Sequence, residues 1–284
     1  MCASADPNPR APRFRVPDNA VDCHAHIFGP AQKYPYAPGR NYTPPDASLP
    51  DYRRVLGILG VKRGVLVQPS VYGFGTDCLI DALGRAGPDF RGVAVVHPQC
   101  GDDELDRLHA LGVRGLRFNV LFGGGAALNE AWELGRRIRR LGWHIQLLLD
   151  VSAFDGFSAL VGDLPAPVVI DHMGHVPADL GAGNAGFQTL LALLRERRCW
   201  VKLSAPYRLT RMSHPPYSDV APLAKALVGA APDQCVWGSD WPHPQIRVPM
   251  PNDGDLMDHL LDWIPDEDMR RRVLVDNPAR LYGF

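Results

Sequence analysis

Four side chains in this 284-residue sequence stand out for the chemistry they could share. His24 and His26 form a His-x-His pair, His172 follows an apolar run, and Asp240 closes Trp237-Gly238-Ser239-Asp240. If the segment around His24 is a strand, period-two alternation puts both imidazoles on one face. Two chemistries are then open. Three imidazoles and one carboxylate can hold a tetrahedral zinc or another divalent ion. Without an ion, the carboxylate can act as a base toward water while imidazoles donate hydrogen bonds to a developing oxyanion. A single histidine at a strand end is more often a hydrogen-bonded structural residue, but the combination of four such groups argues for a site. Around them stand Arg117 with Asn119, Lys202 with Ser204, and Arg208 just beyond. Arginine forks suit planar carboxylates because they bind two oxygens at once. His243, three residues after Asp240, is near enough to line the same mouth. Asp22 and Asp171 each precede a site histidine and are expected to face outward or to anchor loops. His97, His109, His144 and His259 read as structural or surface residues, and His175 and His214 fall in loops.

These side chains need elements to position them. Eight short apolar, β-branched runs are strand candidates: Ala20–His24, Gly64–Gln68, Gly92–Val96, Gly115–Asn119, His144–Leu149, Val168–His172, Trp200–Ser204 and Cys235–Asp240. From the second onward they start at 64, 92, 115, 144, 168, 200 and 235, so successive starts lie 23 to 35 residues apart. Each interval holds one strand, one helix and two loops, the unit of a βαβ crossover. Leu59-Gly60-Val61, Leu111-Gly112-Val113 and Leu141-Gly142-Trp143 each place a helix-capping glycine before a strand. The pattern predicts a single (β/α)8 TIM barrel over residues 18–284, preceded by a flexible arm at 1–17. A doubly wound sheet would call for a nucleotide fingerprint, and Gly123-Gly124-Gly125 lacks that spacing and reads as a loop. In a barrel the chemistry gathers at the carboxyl ends of the strands, where the four side chains fall.

Composition narrows the partners. Thirty Lys and Arg against 31 Asp and Glu leave a net charge of −1, with no electrostatic footprint for nucleic acid or an anionic membrane. Arg136-Arg137-Ile138-Arg139-Arg140 is expected on the solvated end of a helix. No apolar run approaches the roughly 18 residues of a spanning helix. Met1–Pro17 has no secretory pattern, and six cysteines are scattered singly, so a reducing, cytoplasmic setting is expected. Oligomeric state is not readable from these features.

Longer motifs carry a resemblance. Val21-Asp22-Cys23-His24-Ala25-His26-Ile27-Phe28-Gly29-Pro30, Asp171-His172-Met173-Gly174, Trp237-Gly238-Ser239-Asp240-Trp241-Pro242-His243-Pro244 and Asn277-Pro278-Ala279-Arg280-Leu281-Tyr282 resemble the amidohydrolase superfamily. Within it they are similar to the branch of lactonases that act on pyrone dicarboxylates, from about Asp18 to the C-terminus. The resemblance implies a deformed barrel ending in a C-terminal helix, with the site at the carboxyl mouth. Superfamily members that hold a metal use the His-x-His pair, a histidine after strand five or six, and the aspartate after strand eight. Here those positions are His24, His26, His172 and Asp240. Strand five ends without a histidine, and Arg117-Phe118-Asn119 stands where a bridging Lys or Glu would be. The lactonases of this branch work without metal, so no cofactor is expected, with zinc or another divalent ion as the alternative.

The resemblance also implies roles. Asp240 would activate water and later protonate the leaving oxygen, and His24, His26 and His172 would donate to the lactone carbonyl. Arg117 and Arg208 match substrate-binding arginines, and Tyr42 and Ser70 match polar loop contacts. Two departures stand out. The branch's second arginine after strand four is absent from Leu121-Phe122-Gly123-Gly124-Gly125, and a tyrosine after strand five is missing near Leu149. A small lactone with one anionic group, carboxylate or sulfonate, is therefore the expected substrate, of muconolactone, pyrone or sugar-acid type. The alternatives are a zinc-dependent hydrolase, an aromatic-acid decarboxylase and a lactone isomerase.

Overall fold

The computed structural model describes residues 2–121 and 127–284; the glycine run at 123–125 lies outside them. Eight parallel strands follow chain order around one sheet: β1 Val21–Ala25, β2 Arg63–Val67, β3 Phe90–Ala94, β4 Val113–Asn119, β5 His144–Leu148, β6 Val168–Ile170, β7 Cys199–Ser204 and β8 Cys235–Gly238. Outside them run α1 Leu49–Leu59, α2 Asp77–Ala86, α3 Asp102–Ala110, α4 Ala131–Ile138, α5 Phe157–Asp163, α6 Ala185–Arg195, α7 Ala221–Ala230 and α8 Asp253–Trp263. Two short helices, α9 Glu267–Arg271 and α10 Asn277–Tyr282, end the chain. This is the expected TIM barrel with its C-terminal helix.

The strands form because their apolar residues are covered on both sides. Val21, Cys23, Val65, Val67, Val93, Val169 and Val236 pack inside the ring, and Tyr282 of α10 joins them from below. Leucines of the helices cover the outside; Leu49, Tyr52, Val55, Leu56 and Leu59 form the buried stripe of α1. Gly60 ends that helix at φ 76°, a left-handed conformation that glycine adopts without a Cβ clash. Arg137 and Arg140 reach Asp102 and Asp106 of α3, so the basic run is a solvated helix face. The stretch read as a flexible arm is held along α8: Arg10 pairs with Asp255 and Asp258, Arg13 pairs with Asp258, and Asn252 bonds Asp6 and the Asn8 carbonyl. The acidic start of α8 attracts these arginines.

The ring closes through a seam between β8 and β1, and Asp22 is its rivet. Asp22, expected to face outward or to anchor a loop, is buried and does the second: it accepts hydrogen bonds from the Ser239 amide (2.9 Å) and the Ser239 hydroxyl (2.5 Å) after β8, and from Tyr52 Oη (2.9 Å) and the His24 amide (3.1 Å). Above it the Asp240 amide donates to the His24 carbonyl, and the His26 amide to the Trp241 carbonyl, both at 2.8 Å. A Cβ on Gly238 would sit 2.7 Å from His24 Cβ, so glycine there permits the two backbones to approach. Asp22→Ala strands several buried donors, each worth about 1–3 kcal/mol. It is expected to lower the thermal midpoint clearly, as read by circular dichroism.

Two of the strands that end earlier than expected bear on the site. Val168–His172 stops at Ile170, and Cys235–Asp240 stops at Gly238. Beyond them His172 and Asp240 turn to positive φ, 49° and 64°. Such conformations cost a non-glycine residue about 1–2 kcal/mol and persist where surrounding contacts enforce them. They swing both side chains over the mouth of the barrel.

Candidate active site

The floor of the mouth is a buried polar network spanning four strands. Lys202 on β7 has no exposed surface; its Nζ lies 2.8 Å from Gln146 Oε1 on β5, 3.2 Å from His24 Nδ1 on β1 and 3.5 Å from Asp171 Oδ1 after β6, and His24 Nδ1 and Asp171 Oδ1 lie 3.3 Å from each other. Asp171 Oδ2 accepts from Gln146 Nε2 (3.1 Å) and Arg117 Nε (3.2 Å). Of the two expectations for Asp171, facing outward or anchoring loops, the outward one is not met, since the side chain is buried and ties β4, β5 and β7 together. Strand alternation fails there because the backbone leaves the sheet at Asp171 and enters the left-handed region at His172, bringing both side chains inward.

Asp240 sits above this floor with its two oxygens in different surroundings. Oδ2 accepts from Tyr207 Oη (2.6 Å) and from Arg208 Nε and Nη2 (2.9 and 2.8 Å). Among the described residues Oδ1 has no hydrogen-bond partner, and it faces three imidazole nitrogens: His26 Nε2 at 3.4 Å, His24 Nε2 at 3.6 Å and His172 Nε2 at 3.9 Å. Burial alone would raise the Asp240 carboxyl, but Arg208, His172, His26 and His24 outweigh it and hold it well below the usual carboxylate range. Asp171 is held down in the same way, by His24, Lys202 and Arg117 against burial. Burial lowers all three imidazoles, His24 to about 3 with help from Lys202. At neutral pH the site thus holds two carboxylates and three neutral imidazoles.

The cleft over Asp240 is lined by His26, Tyr42, Ser70, Arg117, Asn119, His172 and Arg208, together with Leu148, Pro244 and Gln245. The seven polar residues named first, with Asp240, are the sequence-predicted ones, and they come together from positions up to 214 apart, from 26 to 240. His24 lies beneath the cleft, fully buried. His243 is placed elsewhere: it is buried behind Tyr207, with Nδ1 3.1 Å from the Tyr207 hydroxyl and Nε2 3.1 Å from Asp253 Oδ1 on α8. It turns from the mouth because its own backbone is left-handed, at φ 61°. Sequence reasoning left Gln146, Asp171, Tyr207 and Lys202 without a role in the site. The alternation of Cys-Trp-Val-Lys-Leu-Ser, which breaks an apolar strand with a lysine, is the signal that points to Lys202. Tyr207 steadies the carboxylate oxygen that does not face the imidazoles. Tyr207→Phe is expected to lower kcat about tenfold with KM nearly unchanged, measured by steady-state kinetics.

Comparison with known proteins fits this geometry. A profile of the amidohydrolase family matches residues 21–284, the whole barrel. The chain belongs to the amidohydrolase family. This amidohydrolase is 38% identical over 289 residues to a 2-pyrone-4,6-dicarboxylate hydrolase of Comamonas testosteroni, covering 97% of this chain and 93% of that one. It is 40% identical over 275 residues to a 4-sulfomuconolactone hydrolase of Rhizobium radiobacter, covering 95% and 92%. A crystal structure from Agrobacterium tumefaciens, in its apo form, superposes with a TM-score of 0.88 at 28% identity, over 96% of this chain and 98% of that one. Among the described residues of this amidohydrolase, no helix is long and apolar enough to cross a membrane.

The donor set can be tested for a metal ion. Ligand bonds of about 2.0–2.1 Å to zinc place neighbouring donor atoms roughly 3.3 Å apart in a tetrahedron. His24, His26 and Asp240 offer ligand atoms within 4.8 Å of one another, as do His24, Asp171 and His172. Their spacing fits. The charge around them is less hospitable, because Lys202, Arg117 and Arg208 already bring three cations to two carboxylates.

Proposed function

We propose that this amidohydrolase opens a small anionic lactone by adding water to its carbonyl, without a metal. The observation that carries the reading is Asp240: ionised, with one oxygen held by Tyr207 and Arg208 and the other turned toward three neutral imidazoles. Asp240 Oδ1 takes a proton from water as the water oxygen attacks the carbonyl carbon. Imidazole N–H groups stabilise the oxyanion that forms. As the ring C–O bond breaks, Asp240 returns the proton to the leaving oxygen. Arg117 and Arg208 clamp the anionic group of the substrate, and Tyr42 and Ser70 complete the wall. The names of the two hydrolase relatives support a cyclic ester as substrate.

Substrate size follows from the cavity. The cleft itself is narrow, about 30 Å³, and shares Arg208 and Gln245 with a wider chamber of about 390 Å³. A lactone with one carboxylate or sulfonate, of muconolactone, pyrone or sugar-acid type, fits the two guanidinium groups of the cleft. Six unpaired thiols suit a reducing compartment such as the cytoplasm.

A second reading rests on the spacing of the donor atoms. In it His24, His26, His172 and Asp240 would hold zinc, which would polarise the carbonyl or acidify a bound water. Chelator-treated protein, checked by elemental analysis, is expected to keep its activity on a panel of lactones, read as proton release into weak buffer. Activity lost with the chelator and restored by zinc would overturn the metal-free mechanism. Product analysis by NMR separates hydrolysis from isomerisation, and carbon dioxide release would mark a decarboxylase.

A further inference from the structure

We infer that the stretch from Cys2 to Arg13 braces the substrate-binding wall of the cleft, which makes Arg10 and Arg13 positioning residues although neither lines the cleft. The inference rests on the lactonase reading of that cleft and adds to it what keeps its wall in place.

The wall needs holding. Between β1 and α1 the chain runs from His26 to Ser48 without a strand or helix, apart from the paired backbones of Phe28 and Ala47 at its base. Loops longer than about 12–15 residues with no element of their own are uncommon and usually functional. This one carries Tyr42 into the cleft. On one side of Tyr42, Asn41 Oδ1 accepts from Gln245 Nε2 of the β8–α8 loop at 3.3 Å. On the other side, the Thr43 carbonyl accepts from the Cys2 amide at 3.0 Å. Tyr42 is thus gripped between the β8–α8 loop and the tip of the N-terminal stretch.

The far end of that stretch is anchored on α8, the helix that follows the same β8–α8 loop. Asn252 caps α8 and uses both ends of its amide. Its Oδ1 accepts from the Arg10 amide at 2.9 Å, and its Nδ2 donates to Asp6 Oδ2 at 2.8 Å and to the Asn8 carbonyl at 2.9 Å. Buried Asp258 accepts from the Arg13 amide (2.7 Å), Arg13 Nε (2.9 Å) and Arg10 Nη2 (2.5 Å), and Asp255 pairs with Arg10 as well. Isolated surface ion pairs contribute little, but several charges sharing one buried carboxylate form a network. Gly254 completes the seat, because a Cβ there would run into the Arg10 carbonyl oxygen. Alanine is the better helix former by about 1 kcal/mol, and glycine at this point of α8 leaves room for the backbone lying on it.

Between its two ends the stretch passes Pro45 and Asp46 of the first loop and Trp241 and Pro242 of the second, across a cavity of about 120 Å³. It spans the two loops that meet beside Tyr42 and fixes how they sit against each other. Asp240 is held separately, by Tyr207 and Arg208 after β7. Loosening the brace therefore weakens substrate binding and leaves the proton transfers intact.

The test uses the whole chain. Arg10→Gln with Arg13→Gln, which removes the charges of the anchor, is expected to raise KM for an anionic lactone about tenfold with kcat within about twofold of the wild type. Gly254→Ala, which lifts the Arg10 backbone off α8 while favouring the helix, should raise KM to a similar degree. Arg10→Lys with Arg13→Lys keeps the attraction to Asp255 and Asp258 and should bring KM back to within about threefold of the wild type. Hydrogen–deuterium exchange supplies a readout independent of turnover. In the Gln and Ala variants the segment 40–48 should exchange faster, while β7 and β8 keep their protection. Unchanged exchange in that segment overturns the brace. So does a fall in kcat or in thermal midpoint with KM unaltered, the signature of a merely structural arm. Faster exchange there in a protein that opens no lactone would leave the brace standing and sink the hydrolase reading instead.

Discussion

Asp240→Asn is expected to lower kcat about a thousandfold or more while leaving ligand binding measurable. The asparagine side chain has nearly the same shape, and its carbonyl oxygen can take the place of Oδ2, accepting from Tyr207 and Arg208. The fold and the cleft should therefore persist, with a thermal midpoint close to the wild type. What disappears is the ionised oxygen facing the imidazoles, and with it both proton transfers, a loss of the size general acid–base catalysis contributes. A further consequence follows from charge. With Asp240 neutral, Arg208 has no carboxylate partner of its own and should hold the substrate's anionic group more tightly, lowering the dissociation constant. Binding is read by calorimetry with an anionic lactone, and turnover by proton release. Turnover at the wild-type rate would remove Asp240 as the base.

Arg117→Met should reduce kcat/KM by about a hundredfold, mostly through KM. Arg117 is only 6% exposed, pairs through Nε with Asp171, and lines the cleft. A charge-assisted hydrogen bond to a buried anion is worth about 1.5–3 kcal/mol, and losing a bidentate clamp removes up to two of them. Asp171 keeps Lys202 and Gln146, so the network beneath should survive. The discriminating measurement compares an anionic lactone with a neutral lactone of similar size. The variant should lose its advantage for the anionic one, and an equal loss on both would show that Arg117 holds the site together rather than the substrate.

Much of the scaffold is legible from local pattern. The eight β-branched runs coincide with the eight strands to within about two residues, because strands buried on both faces must be apolar along their whole length. The polar groups at their ends are legible for the complementary reason. His24, His26, Arg117 and Asp240 interrupt apolar runs at the one end of a barrel where solvent and substrate can enter.

Other features depend on turns that no periodicity records. Alternation along a strand would put Asp171 and His172 on opposite faces, yet the chain leaves the strand at Asp171 and both point inward. Three residues from Asp240, His243 is near enough along the chain to line the mouth, yet its left-handed backbone aims it at Asp253. Which groups can do chemistry was thus written in residue type and in position along the strands. Which atom of each group faces the substrate was decided only when the loops after β7 and β8 came together, because Tyr207 and Arg208, 33 and 32 residues away in sequence, hold Asp240 Oδ2 at 2.6 and 2.9 Å and leave Oδ1 toward the imidazoles. Periodicity constrains faces of elements; hydrogen-bond polarity is a property of neighbours, and only the tertiary structure supplies those.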